Sequence, residues 1–300
     1  MSKLIELAVQ RLEQLRSSGV VVSGLDSAGA PTSGKPPQPR SPDPTRRLAP
    51  PVVAQTVSKA IELDRTAMKA AHLHAPGGES TPQTEQFRMM KRPLIRNVAA
   101  LREQGQGRPN LIMVTSALAG EGKSFAAANL AISIASELDH TVLLVDADVA
   151  RPSLPRLFGF RPGEGLLDVL ECKATLSDVM LKTDIDKLTI LPSGAPRPRA
   201  TELLASDAMR SMLDEIATRY ADRIVVFDSP PLLLTTEAGE LAAHMGQIVI
   251  VVQADRTPQA DVERALGLIA EHPVRLLMLN QVHAKMMQGP GYGYPYGHVY

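Results

Sequence analysis

From about residue 84 onward, the order of apolar and polar positions predicts strands and helices in alternation. Short continuous runs rich in Val, Ile and Leu predict strands, which lie at residues 111–115, 141–145, 188–191, 224–227, 247–253 and 274–280. Between them apolar residues recur at helical spacing, which predicts helices near residues 84–104, 124–138, 201–220, 237–244 and 257–271. Strands that are apolar on both sides are typical of a parallel sheet covered by helices. We therefore expect an α/β fold with a doubly wound, mostly parallel sheet and helices on both faces.

The N-terminal segment at residues 1–16 has a pattern of its own. Its apolar residues share one face of a predicted helix, and they are Leu4, Ile5, Ala8, Leu12 and Leu15. Charged residues occupy the opposite face, so the helix is amphipathic. The sequence leaves three roles open: packing back on the main domain, docking on a partner protein, or lying on a membrane surface.

The remaining segments have predicted boundaries set by composition. Residues 17–52 hold eight prolines between Pro31 and Pro51, and such a stretch buries too little apolar surface to fold, which predicts a disordered linker. A helical regulatory segment at 53–83, the main α/β domain at 84–283 and a C-terminal tail at 284–300 follow.

Composition excludes several classes of protein. The formal net charge is zero, aromatic residues make up 3% and Trp is absent, so we expect no nucleic-acid partner. The single cysteine, Cys172, rules out a disulfide framework and fits a reducing compartment. No apolar run approaches the roughly 18 residues of a membrane helix, and no signal peptide opens the chain. We expect a cytoplasmic protein with no direct membrane span.

Residues 116–124 read Ser-Ala-Leu-Ala-Gly-Glu-Gly-Lys-Ser, and they follow a predicted strand and open a predicted helix. In this context a glycine-rich loop cradles phosphate groups with its backbone N–H groups and with the positive end of the helix. Lys123 can reach the β- and γ-phosphates, and the Ser124 hydroxyl can ligate Mg²⁺. One feature departs from the GxxxxGK[ST] pattern, since Ala117 stands where the first glycine belongs. The expected nucleotide-binding residues of the loop are Ala119, Gly120, Glu121, Gly122, Lys123, Ser124 and Phe125.

Three aspartates follow two of the predicted strands. Asp146 and Asp148 come after the strand at 141–145, and Asp228 comes after the strand at 224–227. The carboxyl ends of parallel strands meet at the edge of the sheet where α/β folds bind ligands. Carboxylates there can hold Mg²⁺ and accept a proton from an attacking hydroxyl.

The tail holds four of the five tyrosines in the sequence, in a Gly- and Pro-rich segment that offers no core to bury them. They are Tyr292, Tyr294, Tyr296 and Tyr300. Together with a nucleotide site, they suggest a kinase that phosphorylates its own tail. The alternative is a sticky low-complexity segment without that role.

These motifs resemble those of a known family. Ser116-x3-Gly-Glu-Gly-Lys-Ser124, Asp146-x-Asp148 and Asp228-Ser-Pro-Pro231 resemble the Walker A, A′ and B motifs of bacterial tyrosine kinases, which have a P-loop NTPase fold. The opening Leu4-Ile5-Glu6, the segment beginning at Glu85 and Arg256-Thr-Pro258 resemble the autokinases of exosortase-associated (PEP-CTERM) exopolysaccharide loci. The resemblance implies ATP and Mg²⁺ as cofactors, autophosphorylation in trans within a homo-oligomer, and a role in regulating exopolysaccharide synthesis or export.

The resemblance also implies a role for individual residues. Lys123 would bind phosphate, Asp146 would activate the tyrosine hydroxyl, and Asp148 and Asp228 would organise the Mg²⁺ shell with Ser124. Asn280 resembles an adenine contact of related ATPases. The family's E-x2-R-x2-R element, which builds the oligomer, resembles the set Glu85, Arg88 and Lys91, in which lysine replaces the last arginine.

By the same resemblance, the partners are further copies of the chain, a separate inner-membrane polysaccharide copolymerase that acts as activator, and a phosphotyrosine phosphatase. The copolymerase would recruit the protein to the inner membrane. Two alternatives stay open. The first is an ATPase of the MinD/ParA type, although the signature lysine of that class falls at Leu118 here. The second is an adaptor without kinase activity, in which nucleotide gates docking to the copolymerase.

Overall fold

The structure, a computed structural model, describes residues 59–78, 80–105 and 107–282. The predicted helix at 1–16, the linker at 17–52 and the tail at 284–300 lie outside the described residues, as do residues 53–58. The strands are β1 (Lys59–Ile61), β2 (Leu111–Ser116), β3 (Thr141–Asp146), β4 (Leu181–Thr183), β5 (Leu188–Leu191), β6 (Arg223–Asp228), β7 (Gln247–Gln253) and β8 (Arg275–Asn280). The helices are α1 (Arg65–Ala70), α2 (Pro82–Glu103), α3 (Lys123–Ala135), α4 (Leu154–Phe158), α5 (Leu166–Leu170), α6 (Leu176–Val179), α7 (Ala200–Leu204), α8 (Asp207–Arg219), α9 (Thr236–Ala243) and α10 (Gln259–Leu268).

The strands form one sheet in the order β1-β4-β5-β3-β6-β2-β7-β8, and every pairing is parallel except β4 with β5. This confirms the predicted α/β fold with a mostly parallel sheet. Apolar residues of a single strand serve both faces: Leu111 and Met113 of β2 belong to the apolar cluster under α5, α8 and α9, whereas Ile112 and Val114 belong to the cluster under α2 and α3. Burial on both faces explains why the strands appear in the sequence as continuous apolar runs.

The structure corrects the predicted helical character of residues 53–83. Within the described part, Lys59–Ile61 is a strand that pairs in parallel with β4, and only Arg65–Ala70 and the start of α2 are helical. Asp64 begins α1, because its side chain accepts hydrogen bonds from the N–H groups of Thr66 and Ala67. A three-residue edge strand has no periodicity of its own, so its identity depends on the distant strand it pairs with.

The predicted helix at 201–220 is in fact two helices. The α7 helix ends at Leu204, and Ser206 caps α8 by accepting a hydrogen bond from the N–H of Met209. Serine at such a position competes with the helical backbone and starts a new helix. The short elements α4, α5, α6 and β4 were not predicted, and they fill the long connection between β3 and β5.

Lys91 lies inside the chain, and this burial argues against its predicted place in an oligomer contact. It is 3% exposed, and its Nζ donates to the carbonyl of Ser133 at 2.6 Å and pairs with Glu137 Oε1 at 2.7 Å. The hydrogen bond from Lys91 lowers the pKa of Glu137 below its usual value. Lys91 therefore anchors α2 on α3. Glu85 and Arg88 stay exposed and pair with each other at 2.6 Å, so the predicted oligomer contact retains these two residues.

Replacing Lys91 with alanine lowers stability, because the carbonyl of Ser133 loses its buried donor. We expect a loss of about 1–3 kcal/mol in the free energy of unfolding, measured by urea denaturation. Arg92→Ala is the matched control, since Arg92 is the exposed neighbour on the same helix. An unchanged stability combined with a smaller mass in light scattering would instead identify Lys91 as an oligomer contact.

Candidate nucleotide and phosphoryl-transfer site

The phosphate loop connects the fully buried strand β2 to α3, whose first residue is Lys123. Two of its residues have positive φ angles, +88° at Gly120 and +92° at Gly122. Only glycine adopts this conformation without steric cost, so both glycines are required by the path of the loop. The helix of 13 residues directs its unpaired N-terminal N–H groups toward the loop.

Glu121 supports the phosphate loop through hydrogen bonds to its buried carboxylate. It is 2% exposed, its Oε2 accepts the N–H of Leu118 at 2.7 Å, and its Oε1 accepts the hydroxyl of Thr257. Thr257 lies just before α10 and also accepts the N–H of Gln253 at 3.1 Å. The side chain of Glu121 thus supports the loop, while the predicted nucleotide contact of this loop residue stays a prediction. Thr257 was missed as a site residue, although it stands in the quoted Arg256-Thr-Pro258 motif.

Asn280, at the end of β8, packs directly against the phosphate loop. Its Nδ2 donates to the carbonyl of Glu121 at 2.9 Å, and a Cβ atom on Gly122 would lie 2.1 Å from that nitrogen. One face of Gly122 is therefore closed by Asn280. The contact between Asn280 and adenine stays a prediction. It would involve Oδ1 of Asn280, because Nδ2 donates to the phosphate loop.

Lys123 and the three predicted aspartates come together at one buried point. The Nζ of Lys123 lies 2.6 Å from Asp148 Oδ2 and 3.8 Å from Asp228 Oδ1. Asp146 and Asp228 face each other in the register of β3 and β6. All three aspartates are at most 4% exposed. We call Lys123, Asp146, Asp148 and Asp228 the carboxylate cluster.

The turn after β3 fixes two of these carboxylates. Oδ2 of Asp146 accepts the N–H groups of Ser153 and Leu154, both at 3.0 Å, at the start of α4. The hydroxyl of Ser153 donates to Asp228 Oδ2 at 3.0 Å. Ser153 therefore links the ends of β3 and β6. It was missed from the sequence, because a serine seven positions after an aspartate carries no pattern that indicates this contact.

Burial dominates the electrostatics of the carboxylate cluster. Loss of solvation, aided by repulsion from Asp228, raises the pKa of Asp146 to about 8. Burial also raises the pKa of Asp228, although Lys123 opposes the change. Burial disfavours the charged form of Lys123 as well, but attraction to Asp228 and Asp148 prevails and raises the pKa of that ammonium. The cluster thus keeps Lys123 charged and retains protons on its buried aspartates.

The raised pKa of Asp146 predicts a pH-dependent stability that Asp146→Asn removes. The carboxyl group of an unfolded aspartate has a pKa of about 3.9. Between that pH and the pKa of about 8 in the folded protein, Asp146 keeps its proton only in the folded state. Stability of the wild-type protein therefore falls as pH rises through this range. In melting experiments without Mg²⁺ or nucleotide, the melting temperature of Asp146→Asn relative to that of the wild-type protein increases between pH 5.5 and pH 8. A difference that stays constant, as expected for the exposed control Asp186→Asn, would contradict the assignment.

The residues of the carboxylate cluster fit a magnesium ion. Oδ1 of Asp146 and Oδ1 of Asp228 are buried and have no hydrogen-bond partner within the described residues. No group of three or more His, Cys, Asp or Glu side chains in that part of the chain forms a complete metal site. Mg²⁺ commonly takes one or two carboxylates and completes its shell with water and substrate phosphates. Ser124, Asp148 and Asp228 are the predicted ligands of such an incomplete site.

Two further predicted residues have other surroundings. The ring of Phe125 packs edge-on against Phe87 of α2, with centroids 5.9 Å apart, so its side chain supports the loop from the helix side. Arg151, which lies three residues after Asp148, is exposed and donates its backbone N–H to Asp148 Oδ1 at 3.2 Å. The tyrosines of the tail, Tyr292, Tyr294, Tyr296 and Tyr300, lie outside the described residues.

Comparison with known proteins identifies the family. The family model for ParA, described as NUBPL iron-transfer P-loop NTPase, matches residues 108–282. The tyrosine-protein kinase YwqD of Bacillus subtilis is 33% identical over 183 residues, which cover 61% of this chain and 76% of YwqD. The chain belongs to the bacterial tyrosine-kinase branch of the ParA-type P-loop NTPases. This confirms the family and the fold that the sequence motifs implied.

Two other relatives extend the comparison of this kinase-family chain. The tyrosine-protein kinase wzc of Salmonella typhi is 28% identical over 191 residues, which cover 63% of this chain and only 26% of wzc. The crystal structure of the chimeric protein CapA2B2 has a TM-score of 0.60 and 26% identity, and the match covers 75% of this chain and 93% of the chimera. Among the described residues, no helix is both long enough and apolar enough to cross a bilayer.

Proposed function

We propose that this chain is an ATP- and Mg²⁺-dependent protein-tyrosine autokinase that phosphorylates its own C-terminal tyrosines. The observation that carries the proposal is the carboxylate cluster, in which Lys123 at the end of the phosphate loop lies 2.6 Å from Asp148 and close to Asp228. A cation, buried carboxylates and a phosphate loop at one point are the parts that phosphoryl transfer requires. The four tyrosines in the last nine residues supply the acceptor.

The reaction is an in-line transfer. A bond forms between the tyrosine oxygen and the γ-phosphorus, and the bond from that phosphorus to the oxygen bridging it to the β-phosphate breaks, so ADP leaves. Lys123 and the loop N–H groups bind the phosphate oxygens and stabilise the charge that develops on them. Mg²⁺, when bound by Ser124, Asp148 and Asp228, neutralises part of the phosphate charge.

The hydroxyl proton passes to Asp146, the carboxylate that Ser153 and Leu154 hold in place. A proton acceptor works best when its pKa is near the operating pH, and the pKa of Asp146 is raised to about 8. Its Oδ1 has no partner within the described residues and is available for this task.

The transfer takes place between copies of the chain in an oligomer. Glu85 and Arg88 of α2, whose side chains are 47% and 54% exposed, are the proposed contacts between copies. An inner-membrane polysaccharide copolymerase, which the family resemblance implies, is the proposed activator that recruits this chain to the inner membrane. In this account the kinase regulates exopolysaccharide synthesis or export, and a phosphotyrosine phosphatase reverses the modification.

A mixture of two variants, neither of which can phosphorylate its own tail, tests transfer between chains. One chain carries Lys123→Met with its tail intact, and the other carries phenylalanine at Tyr292, Tyr294, Tyr296 and Tyr300 with its site intact. Phosphotyrosine that forms on the first chain only when both chains and Mg-ATP are present supports the proposal. If the wild-type chain becomes phosphorylated but no phosphotyrosine forms in the mixture, transfer occurs within one chain and the proposed transfer between copies is wrong.

A ParA-type ATPase without kinase activity is the second candidate, favoured by the family model itself. In that class a lysine at the position of Leu118 acts across a dimer. Leu118 is half-buried here and offers only its backbone N–H, which binds the carboxylate of Glu121. Iron transfer lacks support, since iron–sulfur clusters need several cysteine ligands and the sequence has only Cys172.

A further inference from the structure

A cavity of about 460 Å³ opens close to the carboxylate cluster, and the chemistry described so far does not use it. Five of its ten lining residues are prolines, and the others are one phenylalanine, one arginine, one serine and two glycines. The lining residues used below are Pro152, Pro155, Arg156, Phe160, Pro192 and Pro196. We call it the proline cavity. Apolar walls with a single charged group are typical of a site for a specific ligand, and the volume lies within the usual range of roughly 300–1,000 Å³.

One wall of the proline cavity belongs to the segment that positions Asp146. Pro152 and Pro155 flank Ser153 and Leu154, whose N–H groups bind the carboxylate of Asp146. The cavity and the proposed proton acceptor are therefore separated by a single stretch of backbone.

The strand order places the proline cavity on the acceptor side of the phosphates. Along the sheet edge, Asn280 ends β8, the phosphate loop follows β2, Asp228 ends β6, Asp146 ends β3, and Pro192 follows β5. These strands are mutually parallel and lie about 4.8 Å apart, so their ends form a row in this order. A nucleotide whose base lies toward Asn280 directs its last phosphate toward the aspartates. The proline cavity then lies beyond them, where an attacking group must enter.

We propose that the proline cavity is the acceptor subsite and that it binds the C-terminal segment 289–300 of a second copy of this chain. A tyrosine ring of that segment packs on the proline rings and on Phe160, and its hydroxyl points toward Asp146. The inference rests on the proposed kinase function and adds to it the place and the residues that select the acceptor.

The chemistry of the segment matches the cavity. Residues 289–300 contain glycine, proline, tyrosine, histidine and valine and no Asp, Glu, Lys or Arg. Side chains without charge enter an apolar cavity without the desolvation cost that charged side chains meet. Tyrosine combines an apolar ring with a polar tip, which suits a cavity that is apolar inside and borders carboxylates. Arg156, exposed at the cavity, can stack on a tyrosine ring and pair with its phosphate after transfer.

The length of the chain beyond the described residues permits this docking. The described residues end at Val282, next to Gln281, whose Oε1 accepts a hydrogen bond from Gln253 at 2.6 Å. Residues 283–300 follow, and a chain of that length spans up to roughly 60 Å when extended. This length is compatible with docking in the cavity of a neighbouring copy.

Kinetics with a charge placed in the cavity test this subsite. The enzyme is the full chain with the four tail tyrosines changed to phenylalanine, and the acceptor is the full chain carrying Lys123→Met. In the enzyme, Pro196→Glu puts a carboxylate on the cavity wall, and Pro198→Glu is the matched control, since Pro198 is exposed in the same loop and does not line the cavity. We expect Pro196→Glu to raise the acceptor KM about tenfold or more, with ATP affinity unchanged. Phe160→Ala should act in the same direction.

A binding measurement separates failure of the subsite from failure of the kinase proposal. A fluorescein-labelled peptide with the sequence of residues 286–300 is titrated with the enzyme chain, and its anisotropy is measured. Binding that Pro196→Glu weakens and Pro198→Glu does not weaken supports the subsite, even if no phosphate is transferred. If phosphate is transferred but Pro196→Glu changes neither the acceptor KM nor the peptide affinity, the proposed subsite is wrong and the kinase proposal is retained.

Discussion

Replacing Lys123 with methionine abolishes phosphate transfer to the tail tyrosines and weakens ATP binding. The ammonium of Lys123 is the cation of the carboxylate cluster, 2.6 Å from Asp148, and it is placed to move onto the phosphates. Methionine has a similar length but no charge, so the developing charge on the phosphates loses its fixed partner. Removing one such group costs at least about 100-fold in rate.

The measurement is the initial rate of phosphotyrosine formation with saturating Mg-ATP, normalised to folded protein. Lys182→Met is the matched control, because Lys182 is an exposed lysine of β4. Lys123→Arg keeps the charge and should retain part of the rate, although its planar group fits the cluster less well. A Lys123→Met protein that transfers phosphate at the wild-type rate would remove Lys123 from the mechanism.

Replacing Gly122 with alanine disrupts the phosphate loop, and we expect a larger effect than from any other single methyl group in the site. Two costs combine at this position. An L-residue at a φ of +92° loses about 1–2 kcal/mol, and the new Cβ would lie 2.1 Å from Asn280 Nδ2. Asn280 cannot give way without breaking its hydrogen bond to the carbonyl of Glu121.

Gly120→Ala separates the two costs. Gly120 has a φ of +88°, but a Cβ there meets no atom within 4 Å in the described part of the chain. In melting experiments without nucleotide, Gly122→Ala should therefore be less stable than Gly120→Ala, and adding Asn280→Ala to Gly122→Ala should recover part of the difference. Equal melting temperatures for the two single variants would show that Asn280 does not close this face of the loop.

The sequence predicts the six strands from β2 to β8 other than β4 to within about one residue at each end, because their apolar runs are continuous. Burial on both faces explains these runs in the inner strands, whereas β8 lies at the edge of the sheet and leaves Leu277 and Leu279 exposed. Predicting the phosphate loop and the convergence of the three aspartates is possible for a related reason. Parallel strands bring their carboxyl ends to one edge, so residues that follow such strands meet there.

The features that the sequence does not predict depend on contacts between distant residues. β1 is defined by its pairing with β4, and Glu121 is held by Thr257, which lies 136 positions later. Lys91 stands in a motif associated with oligomer contacts, yet its ammonium reaches α3 of the same chain. Local periodicity carries no information about such pairings, because each depends on how elements far apart in the sequence pack in the folded chain.

The measurement that tests the central claim most directly is tryptic mass spectrometry of the purified chain after incubation with Mg-ATP, alongside Lys123→Met. Our account predicts phosphate on the C-terminal peptide that carries Tyr292, Tyr294, Tyr296 and Tyr300, in the wild-type chain only. Repeating the incubation with the cytoplasmic segment of a membrane copolymerase covers a kinase that needs its activator. An unmodified tail in both incubations, with ATP demonstrably bound, would contradict the account and favour a nucleotide-gated adaptor.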